Sequence, residues 1–467
     1  MNTMSHLLDG LEDTTEIKEV KKDKQKNESN YFKISEFFQN DYVDQASYDN
    51  LRKIASAIDG QKNASRKILY TIMEKNVKDE IKVSQLGSKV AEFAEYLHGN
   101  LDGVIVGLAQ NYPGTNNIPL LTREGNFGTR FSQEASASRY IYTYGAKEFF
   151  ELFRKEDTAV LTKQYFEGQE IEPRFYVPNL PILLINGSEG VSSGFAQKIL
   201  PRNPKLIKES IKGHIAGKSC DEKKFYPYFE GFNGIIEKGE NKGQWLIKGI
   251  VTRKTINKVE ISEVPIGHDL KSYLDVLDDL EDKKVIQSYK DKSENDNFLF
   301  EVNINSKDLK DWDDNTLLEK LKLVKKVTEN YTCMNADNKI QLFDDAIGIF
   351  EYYFNEKIKS LQLRKDYRLN KLEEDIKFDY SRYIFIKSIV EEKLIINKRK
   401  KSDIEIDLDK IEQIVRRDDS FDYLLNMNIV SLTEERMQKL LDDIKTKKEA
   451  FDNLKSTTVN DIWLSEI

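Results

Sequence analysis

From residue 347 onward the apolar side chains fall at three- and four-residue intervals: Phe350, Phe354, Ile358 and Leu361, then Leu369, Leu372 and Ile376. That period predicts a long amphipathic helix, and no proline follows Pro265 to interrupt it. A second helical run, Met437, Leu440, Ile444, Phe451 and Leu454, follows Ser431 and Glu434, whose spacing predicts a capping box. A compact apolar stretch over 421–430 lies between the runs, so the pair reads as two antiparallel helices with a globular tip. Upstream, alternation over 244–252, 258–264 and 297–304 predicts strands of an α+β domain. Before about residue 204, short helical patterns are broken by Gly, Asn and Pro, as in NYPGTNN (111–117) and EGNFG (124–128), predicting helices joined by turns.

Residues from about 13 to 30 mix lysine and acid with hardly any large apolar side chain, which predicts a mobile tail over 1–30 ahead of three regions, 31–204, 205–340 and 341–467. A length of 467 residues accommodates such a multidomain α+β chain. The charged fraction of 33% suits long helices solvated on two faces, as in a coiled coil. No stretch approaches the roughly 18 uninterrupted apolar residues of a membrane span, and the polar start lacks a signal-peptide core. The expectation is a soluble, cytoplasmic protein with no membrane partner. Cys220 and Cys333 stand in unrelated contexts, and His6, His98, His214 and His268 are scattered, which argues against a disulfide framework or zinc site.

The net charge of -8 speaks at first against nucleic acid, because DNA affinity comes mainly from Lys and Arg on phosphates. Between Gly60 and Lys205, however, 18 Lys/Arg face 16 Asp/Glu, a balance of +2 that leaves -10 elsewhere. A DNA surface, if present, belongs in that segment. It contains SASRYIYT (136–143), where Arg139 directly precedes Tyr140. A phenol with a pKa near 10 needs cations to act as a nucleophile at neutral pH, and Arg139 and Arg130 are candidates. One Arg-Tyr pair among 22 tyrosines is by itself more often packing than chemistry.

The surroundings carry more. DGQKNASRK (59–67), KVSQLGSKVAEFAEYLHG (82–99), LAQNY (108–112) and GNFGTR (125–130) precede the Arg-Tyr pair. In order and spacing they resemble the winged-helix domain of type IIA DNA topoisomerases, whose patterns run approximately DGxKPxxRK, KVxxLxGxVAExxxYHHG, LAQNF, GxFGTR and RY. EPRFYVPNLPILLINGSEGVSSG (172–194) resembles that family's DNA-bending wedge segment and YFEGFNGIIE (228–237) the start of its tower domain. YLLNMNIVSLT (423–433) is similar to the exit-gate signature, and VNDIW (459–463) to the last coiled-coil turn. The resemblance covers about residue 31 to the C-terminus.

It implies a winged-helix cleavage domain, an α+β tower, and a coiled coil ending in an exit gate near 395–432. It makes Tyr140 the nucleophile that joins a DNA 5′ phosphate and Arg139 its neighbouring cation. Lys62, Arg66, Lys67 and Arg130 become phosphate contacts, His98 a contact near the scissile bond, and Val191 a wedge between base pairs. Departures exist: Asn63 replaces the usual proline, Leu97 the first of two histidines, and Val191 an isoleucine.

Members of the family also need a glutamate with an Asp-x-Asp pair for metal. Asp407 and Asp409 match in spacing, but stand in plain acid/apolar alternation between the long helices. Magnesium and ATP are therefore expected on a partner, a large topoisomerase subunit with ATPase and metal-binding domains. A double-strand break implies a homodimer through the C-terminal gate. With the chain ending soon after its last helix, relaxation and decatenation are expected over supercoiling. A stand-alone cleavage chain with eukaryote-like motifs is similar to the medium subunits of T-even-type bacteriophage topoisomerases, placing it in host cytoplasm. A non-enzymatic winged-helix and coiled-coil DNA-binding protein is the alternative.

Overall fold

The computed structural model describes residues 34–96, 98–428 and 433–467, so the expected tail over 1–30 lies outside the described residues. Its first packed nucleus follows from spacing: Ile68, Leu69, Ile72 and Met73 form one buried stripe of helix Asn63–Glu74. Helices Val83–Phe93 and Asp102–Ala109 close over it with Leu86, Val90 and Ile105, all fully buried. Asn63, where the family favours proline, is the first helical residue, a position at which proline is tolerated but not required. Ser65 closes the turn, its Oγ accepting from the Lys62 backbone N–H at 3.0 Å. A two-stranded ladder pairs Ile81–Lys82 with Tyr142–Thr143, antiparallel.

The expected strands form as part of several small antiparallel sheets. A four-stranded sheet runs in the order Ser288–Asp291, Phe300–Asn303, Lys258–Glu263, Ile250–Thr255. Helix Leu270–Asp282 covers one face, burying Tyr273, Leu277 and Leu280 against Val259, Ile261, Phe300 and Val302. Asp269 caps that helix, its carboxylate accepting from Ser272 N at 2.8 Å. The run read as one strand over 244–252 is in fact two. Gln244–Lys248 pairs with Ile235–Lys238 and Val324–Thr328, and the chain changes sheets at Gly249. A Cβ at Gly249 would lie 2.3 Å from the Glu263 carbonyl oxygen, so only glycine permits the crossing.

The chain divides into two compact units, one reaching Lys357 together with Ile467, the other Ile358–Glu466, and helix Ala346–Val390 passes through the boundary. In the first unit that helix is anchored by Tyr353 Oη, which donates to Pro178 O at 2.6 Å, and by Lys357 Nζ, which donates to Val177 O at 2.9 Å. In the second, its remainder runs antiparallel to helix Glu434–Ser456: Asp379 meets Lys447 at 2.6 Å, and Lys365 donates to Thr457 O at 2.7 Å. The cap of the later helix is Thr433, whose Oγ1 accepts from Arg436 N at 3.3 Å. Glu434 falls in the first turn instead of the third helical position, and Ser431 lies outside the described residues. Beyond the long pair, Phe385, Leu394, Ile404, Leu408, Ile414, Phe421 and Leu424 bury one another.

Candidate functional site

Tyr140 closes a turn, donating its backbone N–H to Ala137 O at 2.9 Å. The next residue, Ile141, is buried, and its carbonyl accepts from Val83 N at 3.1 Å at the start of helix Val83–Phe93. With Ile141 pulled inward, Tyr140 is driven outward: at 66% it is the most exposed tyrosine among the described residues. The Arg139 guanidinium lies 4.8 Å from the centre of the Tyr140 ring. Behind the turn, Glu124 and Tyr142 exchange backbone hydrogen bonds at 3.0 and 2.9 Å, and Ser136 N donates to Asn126 O at 3.0 Å. Gly125, at φ +103°, lets this loop press on Ile141; a Cβ there would come within 3.0 Å of the isoleucine side chain.

At the end of that loop Arg130 is buried, as is its partner Glu263. Arg130 Nη2 donates to Glu263 Oε1 at 2.5 Å and to Val264 O at 2.9 Å, and the guanidinium sits 5.0 Å from the Phe298 ring centre. Glu263 also accepts from Asn233 N at 3.0 Å and Val264 N at 2.9 Å. Burial pulls the Arg130 pKa down, with Glu263 opposing. Arg130 thus presents no charge to solvent here; it joins the loop that leads to Tyr140 to the four-stranded sheet.

Arg66 and Lys67 are likewise committed to internal carboxylates. Arg66 Nε donates to Asp59 at 2.8 Å, and Asp59 in turn accepts from Gln61 N at 2.9 Å and Tyr176 N at 3.0 Å. Lys67 pairs with Glu172 at 2.8 Å in the interior. Burial pushes the Glu172 carboxyl up, and Lys67 works against that rise. Lys62 differs, being half-exposed, with Nζ donating to Glu189 O at 2.6 Å. Burial lowers its pKa, and the Glu189 carboxylate partly offsets this.

Glu189 belongs to the hairpin Ser188–Val191 and Ala196–Ile199, which carries Val191 at 73% exposure. Register puts Gly190 and Gln197 on its inner face, where Gln197 Nε2 donates to Thr332 O at 2.8 Å. A Cβ at Gly190 would lie 2.1 Å from Lys53 O. The hairpin turn is held by Asp49, which accepts from Ser193 Oγ at 3.0 Å, Ser193 N at 3.2 Å and Ser192 Oγ at 3.2 Å. The Lys53 ammonium, 2.9 Å away, and the two serines hold the Asp49 carboxyl below its ordinary pKa. The same helix, Asp41–Lys53, carries Tyr48, whose ring centre is 6.3 Å from that of the exposed His98 and 5.5 Å from the Arg52 guanidinium.

Helix Asp41–Lys53 therefore links the Val191 hairpin to His98, a connection that sequence spacing does not carry. Asp49, Tyr48, Asp59 and Glu263 were all missed on sequence. For Glu263 a signal existed: in Lys258–Glu263 the alternation that buries Val259 and Ile261 also points position 263 inward. Asp407 is held by Arg399 at 2.7 Å and Lys410 at 2.8 Å, and Asp409 by Arg416 at 2.6 Å. Carboxylates so paired do not fit a magnesium site.

A family model for the A subunits of DNA gyrase and topoisomerase IV matches residues 52–467. The chain belongs to that family. It is 31% identical over 431 residues to mitochondrial DNA topoisomerase 2 of Dictyostelium discoideum, covering 90% of this chain and 33% of that protein. With DNA topoisomerase 2 of Invertebrate iridescent virus 6 it shares 30% over 446 residues, 93% of this chain and 38% of the other. The crystal structure of the Plasmodium falciparum topoisomerase II DNA-binding, cleavage and re-ligation domain superposes with a TM-score of 0.81 at 30% identity, covering 92% of this chain and 63% of that one. This family member spans about a third of the length of the curated relatives it matches.

Proposed function

We propose that this chain is the DNA breakage-reunion part of an ATP-dependent type II DNA topoisomerase, with Tyr140 as nucleophile. The observation that carries the reading is the outward Tyr140 with Arg139 against its ring, on a turn braced from behind by a buried isoleucine and a glycine loop. The phenolic oxygen attacks a DNA phosphorus in line and gives up its proton; the bond to the 3′ oxygen breaks, and that oxygen takes up a proton as a free hydroxyl. Arg139 offsets the negative charge that develops on phenolate and phosphorus. The 5′-phosphotyrosine retains the bond energy, so religation reverses the step.

In this reading Lys62, His98 and Val191 meet DNA directly, with Val191 unstacking a base step. Arg66, Lys67 and Arg130 hold the surface in shape through Asp59, Glu172 and Glu263. Residues 31–204 act as the winged-helix cleavage domain, 205–340 as the tower and 341–467 as coiled coil and gate; the antiparallel helix pair and the apolar cluster around Phe421 support the last. A homodimer through that gate pairs with a large subunit supplying magnesium and ATP. The split arrangement of T-even-type bacteriophage enzymes, working in host cytoplasm to relax and decatenate DNA, is the fullest form of the proposal.

Denaturing detergent added to chain, partner, magnesium and duplex DNA is expected to leave protein attached to 5′ ends, and Tyr140→Phe to abolish the attachment. A purely architectural DNA-binding protein gives only salt-sensitive, noncovalent complexes.

A further inference from the structure

Hairpin register places Glu189 directly opposite Lys198, and Val191 two residues along on the same outward face. Beneath them opens a cavity of about 250 Å³ lined by Ser188, Glu189, Lys198 and Lys325 among others. Lys198 Nζ lies 3.0 Å from Glu189 Oε1, Lys62 Nζ caps the Glu189 carbonyl at 2.6 Å, and Lys325 Nζ reaches in to donate to Ile266 O at 2.9 Å. Lys198 and Lys325 thus line one cavity with a single carboxylate between them in charge count, leaving net positive charge near the exposed Val191. We propose that Lys198 and Lys325 form a cradle for a DNA phosphodiester immediately beside the base step that Val191 opens.

The proposal rests on the DNA-cleavage reading and deepens it. Two residues of strand span roughly 7 Å, and a duplex rises about 3.4 Å per base pair along each strand. A backbone kinked at Val191 therefore passes over Lys198 within about two base steps. The cradle is charged against itself when empty: Lys325 is lowered from an ordinary lysine pKa by burial and by Lys198, with Glu189 partly compensating. A phosphate relieves that repulsion by meeting both ammonium groups, and Lys198 exchanges Glu189 for the ligand. Glu189 is then a competitor for the site instead of a support for it. Neither Lys198 nor Lys325 stands out in the sequence, because the residues come from a hairpin and from strand Val324–Thr328, 127 positions apart.

The test is the salt dependence of duplex binding by the full chain, read by fluorescence anisotropy, for wild type, Lys198→Ala/Lys325→Ala and Glu189→Gln. Each lost phosphate contact lowers the slope of log affinity against log salt by about 0.9, so the double variant should lose about 1.8. The gap between wild type and double variant then narrows about 12-fold from 50 to 200 mM salt, by the same slope difference. Glu189→Gln should bind more tightly than wild type at low salt, a gain that a merely structural ion pair does not give. Thermal melting of each variant shows whether it is folded. An unchanged slope in a folded double variant, or weaker binding by folded Glu189→Gln, overturns the cradle. Lysine-dependent binding of inorganic phosphate with an unchanged DNA slope makes it a free-phosphate site and also overturns it. Absence of salt-sensitive DNA binding in wild type defeats the cleavage reading itself.

Discussion

Replacing Arg130 with methionine separates a direct phosphate contact from an internal ion pair. Methionine preserves much of the volume between Phe298 and Phe232 and removes the charge and every donor. Glu263 is then left buried, with Asn233 N and Val264 N as remaining donors at 3.0 and 2.9 Å. Breaking a buried ion pair by deleting one partner costs roughly 3–5 kcal/mol, and the two surviving backbone donors place this case near 3. At about 2–4 °C per kcal/mol for a large domain, the melting transition of the first unit should fall by about 6–12 °C. Restoring neutrality with Arg130→Met/Glu263→Gln should recover about half of that loss, because the buried charge is gone while the single glutamine carbonyl keeps one of the two backbone donors, which reach different carboxylate oxygens. Differential scanning calorimetry reads the transition, and anisotropy on the same samples reads the DNA salt slope, expected to stay within error of wild type. A variant that melts like wild type while its slope drops by about 0.9 means that Arg130 contacts phosphate directly, and refutes the internal-pair role.

Three other consequences follow from the same geometry. Lys62 has a lowered pKa in the free protein, and a DNA phosphate raises it again, so DNA binding takes up a proton there. Affinity is full below the lowered pKa and declines as pH rises through it, beginning below the 10.5 of an ordinary lysine; the decline should be smaller in Lys62→Arg, measured by anisotropy at matched salt. Gly190→Ala forces a methyl against Lys53 O and should displace the Val191 hairpin, cutting DNA cleavage at least tenfold at an overpacking cost of about 1–3 kcal/mol. Val191→Ala should leave the melting temperature unchanged within about 0.5 kcal/mol, since the side chain is exposed, yet reduce the bend measured by end-to-end energy transfer on duplex DNA.

Periodicity made most of the architecture legible. The helix through Phe350, Phe354 and Leu361 and the strands through Val259 and Phe300 stand where their spacing put them. What spacing does not carry is contact between distant residues. The run through Trp245 and Val251 alternates without a break, and only the approach of Glu263 O to Gly249 makes it two strands in two sheets. Spacing puts the cap at Ser431, which lies outside the described residues, and the observed helix start is capped by Thr433. Arg66, Lys67 and Arg130 are the clearest instance. A conspicuous cation in a DNA-binding motif suggests phosphate, while Asp59, Glu172 and Glu263 are chosen by the fold, the last from 133 residues away. The ordered surroundings single out Tyr140 in the sequence, and its outward pose depends on the burial of Ile141, which a dipeptide does not reveal.

The identity of the nucleophile is open to direct measurement. Covalent complexes trapped with detergent, trimmed with nuclease and digested to peptides should carry a nucleotide mass on Tyr140 alone within the segment that also contains Tyr142 and Tyr144. Fragmentation that places the mass on Tyr142 or Tyr144, or a trapped complex whose Tyr140 peptide is unmodified, contradicts the proposed chemistry.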